Sequence, residues 1–161
     1  MILFLDFDGV LHPDPCYDAA RLFEHAPRLA GVLDAYPEVG VVLSTSWRTV
    51  RPEQELLDAL PESLRTRVLG ATPKFSECSG RAARLPYRRQ AECLQWLENQ
   101  GMTEIPWWAL DDRPDWFVPY CEHLIECDSL TGFDERLARR LASTLELARQ
   151  RAARTLDFEL V

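Results

Sequence analysis

The chain has 161 residues, is 47% apolar and 27% charged, and carries a formal net charge of −8 at pH 7. That length suits one domain, residues 1–161, whose core needs no disulfide or metal staple. Such acidity argues against wrapping nucleic acid wholesale, and no apolar run approaches the length of a membrane span.

The opening "MILFLDFDGVLH" is a run of apolar residues, Ile2 to Leu5, that meets Asp6, Asp8 and Gly9. A short apolar run bounded by a glycine turn reads as a strand buried on both faces. Alternation tends to place Asp6 and Asp8 on one side of its carboxyl end, where two like charges repel unless a cation or shared proton relieves them. The plain alternative is an Asp-Gly turn with solvated carboxylates. Next, "PRLAGVLDAYPE" spaces Leu29, Val32, Leu33 and Tyr36 along one face of a helix starting at Pro27. "VGVVLSTSW" is a β-branched strand that closes in Ser44, Thr45 and Ser46. A short helix is expected after Pro52, and "RVLGATP" reads as a third strand. "RRQAECLQWLENQG" gives a helix with Cys93, Trp96 and Leu97 on one stripe and Gly101 as its stop. "IPWWALDDR" is a fourth strand ending in Asp111 and Asp112, and "HLIECD" a weaker fifth. From Asp134 to Arg154 a long helix stacks Leu137, Leu141 and Leu145, with six arginines around them.

Alternating strands and helices imply an α/β fold with a parallel sheet covered on both faces. Ligands of such sheets bind beyond the carboxyl ends of the central strands. Three apolar runs end there in chemically useful groups: Asp6 with Asp8, Ser44 to Ser46, and Asp111 with Asp112. Carboxylates from two strands, hydroxyls and a base suit a Mg²⁺-dependent phosphate site, since Mg²⁺ prefers hard oxygen ligands. One carboxylate can attack phosphorus while a second protonates the leaving oxygen and then activates water.

"FLDFDGVLH" resembles the first motif of the haloacid dehalogenase-like (HAD) phosphohydrolases. The resemblance implies that Asp6 is the nucleophile and Asp8 the general acid/base, its backbone carbonyl also ligating Mg²⁺. "VVLSTSWR" is similar to the second motif and puts the phosphate-binding hydroxyl on Thr45, assisted by Ser46, with Ser44 one residue away as an alternative. "WWALDDR" resembles the fourth motif, with Asp111 the Mg²⁺ ligand alongside Asp6 and Asp8, and Asp112 in support. Arg89 best fits the third-motif base and would bind phosphate; Arg88 and Lys74 are rivals. The family fold is a Rossmann-like α/β/α sandwich of strand order 5-4-1-2-3. The segments where family members insert caps are too short here for a domain, so the enzyme is expected to be capless and open. By resemblance, capless members often act on nucleotide or macromolecular phosphates, and "STSWR" with "LDDR" is similar to small HAD domains associated with RNA-repair proteins.

Residues Arg48 to Arg89 hold nine basic and five acidic side chains, a net +4 that leaves −12 elsewhere. That segment is either solvated surface or a face toward an anionic substrate. Trp47 and Arg48 follow the hydroxyls and could stack on a base, although Trp47 is more readily a core or rim residue. His12 reads as a polar loop histidine, Trp107 and Trp108 as core, and the last helix's arginines as a solvated face. The five cysteines (Cys16, Cys78, Cys93, Cys121, Cys127) contain no C-x-x-C pair, so a reducing cytoplasm is expected. The opening has no basic n-region and is not expected to be a signal peptide. Oligomeric state stays open. A receiver-type phospho-acceptor domain would place its acidic pair and phospho-acceptor in a different strand order. A silent phosphate-binding module would not need Asp6, Asp8 and Asp111 together.

Overall fold

The computed structural model describes residues 1–159, with side-chain surroundings as far as Arg154. Its elements in chain order are β1 (Ile2–Leu5), α1 (Ala26–Leu33), β2 (Gly40–Leu43), α2 (Glu53–Asp58), α3 (Glu62–Arg65), β3 (Val68–Ala71), α4 (Arg88–Asn99), β4 (Trp107–Asp111), β5 (Leu124–Glu126) and α5 (Glu135–Glu159). The five strands form one sheet in the order β3-β2-β1-β4-β5, every neighbouring pair parallel. This is the expected order read from the other edge. The short α3 was not anticipated from the sequence, and α1 begins at Ala26, one residue before Pro27.

Strand alternation divides the core in two. Leu3 and Leu5 of β1, Val41 and Leu43 of β2, and Leu110 of β4 face α1 and α5, where Leu29, Leu33, Leu137, Leu141 and Leu145 are buried. Ile2, Phe4, Val42, Trp107 and Ala109 face the other way, onto Cys93, Trp96 and Leu97 of α4. Because β1 is buried on both faces, its sequence is continuously apolar instead of alternating. Phe4 meets Trp96 and Trp107 edge to face, at ring-centre separations of 5.9 and 5.6 Å. Trp108, by contrast, is only partly buried against the first cluster.

The register fixes what lies beyond the sheet. Leu5 is level with Leu110 on one side and Leu43 on the other. One residue further, Asp6 N–H donates to the Leu110 carbonyl (3.1 Å) and Ser44 N–H to the Leu5 carbonyl (2.9 Å). Asp6, Ser44 and Asp111 are therefore level at the carboxyl edge. Asp6 and Asp111 continue the parity of Phe4 and Ala109, which directs both toward α4. The connections that a cap would occupy hold only 3₁₀ turns, at Ala19–Arg21, Phe75–Glu77 and Ala82–Arg84.

Candidate active site

Asp6 and Asp111 are buried, and Asp112 is partly buried beside them. Each offers a carboxylate oxygen such that the three atoms lie within 4.8 Å of one another. Gly9 makes this approach possible. Its φ of +67° is a left-handed conformation open to glycine, and an added Cβ would collide with the Asp112 carboxylate. The "DG" of the opening thus serves two purposes, a turn and a space.

Burial raises the pKa of all three carboxyls. At Asp6 the Arg89 charge and the Phe7 N–H (2.7 Å from Oδ1) pull partly back. At Asp111 burial and the Asp6 charge push it well up. Asp112 is pushed up to about 6, first by burial and then by Asp6. Arg89, the second residue of α4, is buried between them, with its Nη2 3.4 Å from Asp6 Oδ2 and its Nε 3.1 Å from Asp111 Oδ2. Glu92 lies 3.4 Å from Arg89 Nη1. The Arg89–Asp111 approach is an ion pair without hydrogen-bond alignment, which leaves Asp111 Oδ2 buried with no hydrogen-bond partner.

Asp8 has the opposite surroundings. After Gly9 the chain turns back, and Asp8 leaves the triad for His12 and Trp47. His12 Nε2 is 3.0 Å from Asp8 Oδ1, and the Trp47 indole N–H donates to Oδ2 at 2.8 Å. The Phe23 N–H donates to His12 Nδ1 at 3.4 Å. That assigns the neutral ring's hydrogen to Nε2, where it is donated to Asp8. Burial alone would raise the Asp8 pKa. The two donors outweigh it and hold the carboxyl below its usual range. Phe7, Phe23, His12 and Trp47 pack together at ring-centre separations of 5.1 to 5.9 Å.

The structure refines one reading of the sequence and corrects another. The loop histidine His12 is not solvated: it is 1% exposed and bound to Asp8. The histidine four residues after Asp8, just past the glycine turn, was the signal available for it. Nor is Arg48 open to a base. Its guanidinium donates to the carbonyls of Thr45 (2.6 Å), Thr72 (2.9 Å) and Pro73 (3.0 Å), and pairs with buried Glu92 at 2.8 Å. It staples the ends of β2 and β3 together. Trp47 is a rim residue with its indole N–H spent on Asp8 and the Arg51 guanidinium 4.5 Å from its ring centre.

The hydroxyls separate by role. Thr45 is fully buried, accepts the Trp47 N–H at 3.3 Å, and its side chain lowers the Asp6 pKa by a hydrogen bond. Ser44 is buried with an unpartnered Oγ, whereas Ser46 is exposed at the start of a 3₁₀ turn. Of the three basic candidates, Arg89 alone reaches the acidic triad; Arg88 and Lys74 are exposed.

Residues 2–138 match the model of a family described as the HAD domain in Swiss Army Knife RNA repair proteins. The chain belongs to this family. The sheet order is that of a HAD-type Rossmann-like fold, and the acidic cluster is consistent with a HAD active site. No curated protein and no solved structure gave a match. Among the described residues, no helix is long and apolar enough to cross a membrane.

The three carboxylates fit a Mg²⁺ ion. They are hard oxygen donors, burial and mutual repulsion resist their joint ionisation, and Asp111 Oδ2 is buried without a hydrogen-bond donor. Asp6, Asp111 and Asp112 would offer the ion carboxylate oxygens, where the expected ligands were Asp6, Asp111 and the backbone carbonyl of Asp8, with Asp112 in support.

Proposed function

We propose that residues 1–161 form one catalytic unit, a Mg²⁺-dependent phosphomonoesterase that works through an aspartyl-phosphate on Asp6 and acts on a nucleic-acid end. The supporting observation is the environment of two carboxyls two residues apart. Asp6 belongs to a buried acidic cluster beside Arg89, and Asp8 is held outside that cluster by two donors. Asp6 must be ionised to attack, which a cation held in the cluster would favour, while Asp8 stands outside the cluster to exchange protons.

In this reading, the Asp6 carboxylate attacks phosphorus and the bond from phosphorus to the leaving oxygen breaks. Asp8 takes up a proton as the anionic phosphate arrives beside it and gives that proton to the leaving oxygen; the resulting carboxylate then takes one from the water that cleaves the acyl phosphate. His12 and Trp47 aim the Asp8 carboxyl throughout. Thr45 and Ser46 hold phosphoryl oxygens with O–H or N–H donors, and Ser44 lines the floor. Arg89 offsets the charge of Asp6 and of the arriving phosphoryl group. Bound Mg²⁺ would supply charge neutralisation for the carboxylates and the phosphoryl oxygens. Family membership and the basic surface described below support a nucleic-acid end as the substrate. The cysteines are all free, two of them buried, in keeping with a reducing cytoplasmic setting.

The test is hydrolysis of an aryl phosphate and of end-phosphorylated oligonucleotides with and without Mg²⁺. Asp6→Asn is expected to lower turnover by more than about ten-thousandfold, as loss of a nucleophile does. Full activity in that variant would reject the assignment.

A further inference from the structure

Tertiary contacts divide the basic segment into paired and unpaired charge. Arg48 and Arg89 are buried against carbonyls and carboxylates. Arg51, Arg65 and Arg67 lie near Glu55, Asp58 and Asp34. The others are Lys74, Arg81, Arg84 and Arg88, and all are exposed. Among the described residues none of these four has a carboxylate within ion-pair range, and all lie on the connection from β3 to the start of α4. The one acidic residue of that connection, Glu77, spends a carboxylate oxygen on the Lys74 backbone N–H at 2.7 Å.

This connection borders a hollow of about 620 Å³ with walls that include Lys74, Phe75, Arg88, Glu92 and Trp116. Two buried side chains, Glu92 and Arg89, join the hollow to the acidic triad. Glu92 contacts Arg89, which also contacts Asp6, and the Arg89 guanidinium is 5.2 Å from the Trp116 ring centre. Arg88 is not free to swing, because its guanidinium sits 4.7 Å from the Trp116 ring centre. Glu92 adds no open negative charge, being 1% exposed and paired with both Arg48 and Arg89. Phe75 is 36% exposed on the same wall. A phenyl ring left in water beside two uncompensated cations matches the two chemistries of a single strand, a phosphate backbone and a base with a free face.

We propose that this hollow receives the strand leading to the reacting phosphate, as single-stranded nucleic acid, with backbone phosphates at Lys74 and Arg88 and a base against Phe75. The proposal rests on the phosphatase reading and specifies its substrate class. It replaces Arg48 and Trp47, which the fold has committed elsewhere, as the surface for the strand.

Strand binding can be measured apart from turnover in the Asp6→Asn protein, titrated with a labelled single-stranded oligonucleotide phosphorylated at one end. The Lys74→Ala/Arg88→Ala change is expected to weaken binding roughly tenfold and to make log K against log salt shallower by roughly 1.4, the share of two phosphate contacts to a single strand. Phe75→Ala is expected to weaken it roughly five- to a hundredfold with the salt slope unchanged. Arg139→Ala, on the exposed side of α5, is expected to bind like the parent. Unaltered binding in the double variant, equal weakening by Arg139→Ala, or equal competition by inorganic polyphosphate or a phosphopeptide would overturn the proposal. Failure of the wild type to hydrolyse any phosphate would instead strike the phosphatase reading, so the two are separately testable.

Discussion

Asp6 and Asp8 are two residues apart, yet the fold treats them in opposite ways. Asp6 continues β1 and is buried among Asp111, Asp112 and Arg89, where its charged form lacks enough compensation. Asp8, past the point where the strand ends, receives hydrogen bonds from an imidazole and an indole that favour its charged form. The first environment asks for a cation; the second supplies its own donors. Sequence proximity therefore says little about the chemistry of a carboxyl, and the direction of its immediate contacts says much.

The comparison breaks most visibly at Asp8. Asp8→Asn is expected to slow turnover by about a hundred- to ten-thousandfold, the usual range for loss of general acid/base help. It should also let phosphoenzyme accumulate when its hydrolysis becomes the slower step. Steady-state kinetics equal to the parent's would remove Asp8 from the mechanism.

A smaller effect should follow from loosening the same corner. His12→Ala takes the donor from Asp8 Oδ1, and a hydrogen bond to a charged group is worth about 1.5–3 kcal/mol. The expected loss in kcat is therefore about ten- to a hundredfold, with KM for an aryl phosphate little changed. His12→Asn, which can still offer an N–H, should recover part of it. If the alanine and asparagine variants were equally impaired, His12 would be packing the aromatic cluster without positioning Asp8.

The acidic cluster gives the mildest and most diagnostic signal, in stability. Its carboxyls have folded-state pKa values above their usual ones, with Asp112 near 6. Between pH 4 and 6 the folded chain thus binds more protons than the unfolded chain. The contribution is present in full below the ordinary carboxyl pKa and is lost as pH rises through the folded value. Without divalent ions, Tm should accordingly fall by a few degrees from pH 5 to pH 7.5 on account of these groups. Added Mg²⁺ should raise Tm more at pH 7.5 than at pH 5, and an Asp111→Asn variant should show a smaller difference. A Mg²⁺ effect independent of pH would separate the ion from these carboxylates.

Much of the fold was legible because a strand buried on both faces leaves a short apolar run, and such runs ended in Asp6, in Ser44 to Ser46 and in Asp111. Parallel order followed from their alternation with amphipathic helices, and the resemblance carried by "DFDG" and "LDDR" supplied the strand order. Asp112 was harder to weigh, since its approach to Asp6 depends on the missing Cβ of Gly9 across a connection between distant strands.

The sequence by itself determined which chemical groups stand at the ends of the central strands, because periodicity and turn residues are local properties of the chain. Only tertiary structure decided how the basic residues divide. Arg48 finds its partners at Thr72, Pro73 and Glu92, and Arg89 at Asp6 and Asp111, all remote in sequence. Lys74 and Arg88 have no such partners among the described residues. Charge that is counted along a chain sums over all of these alike. What remains available to a ligand is set by long-range contacts, because a buried guanidinium must be compensated by whatever the fold brings to it.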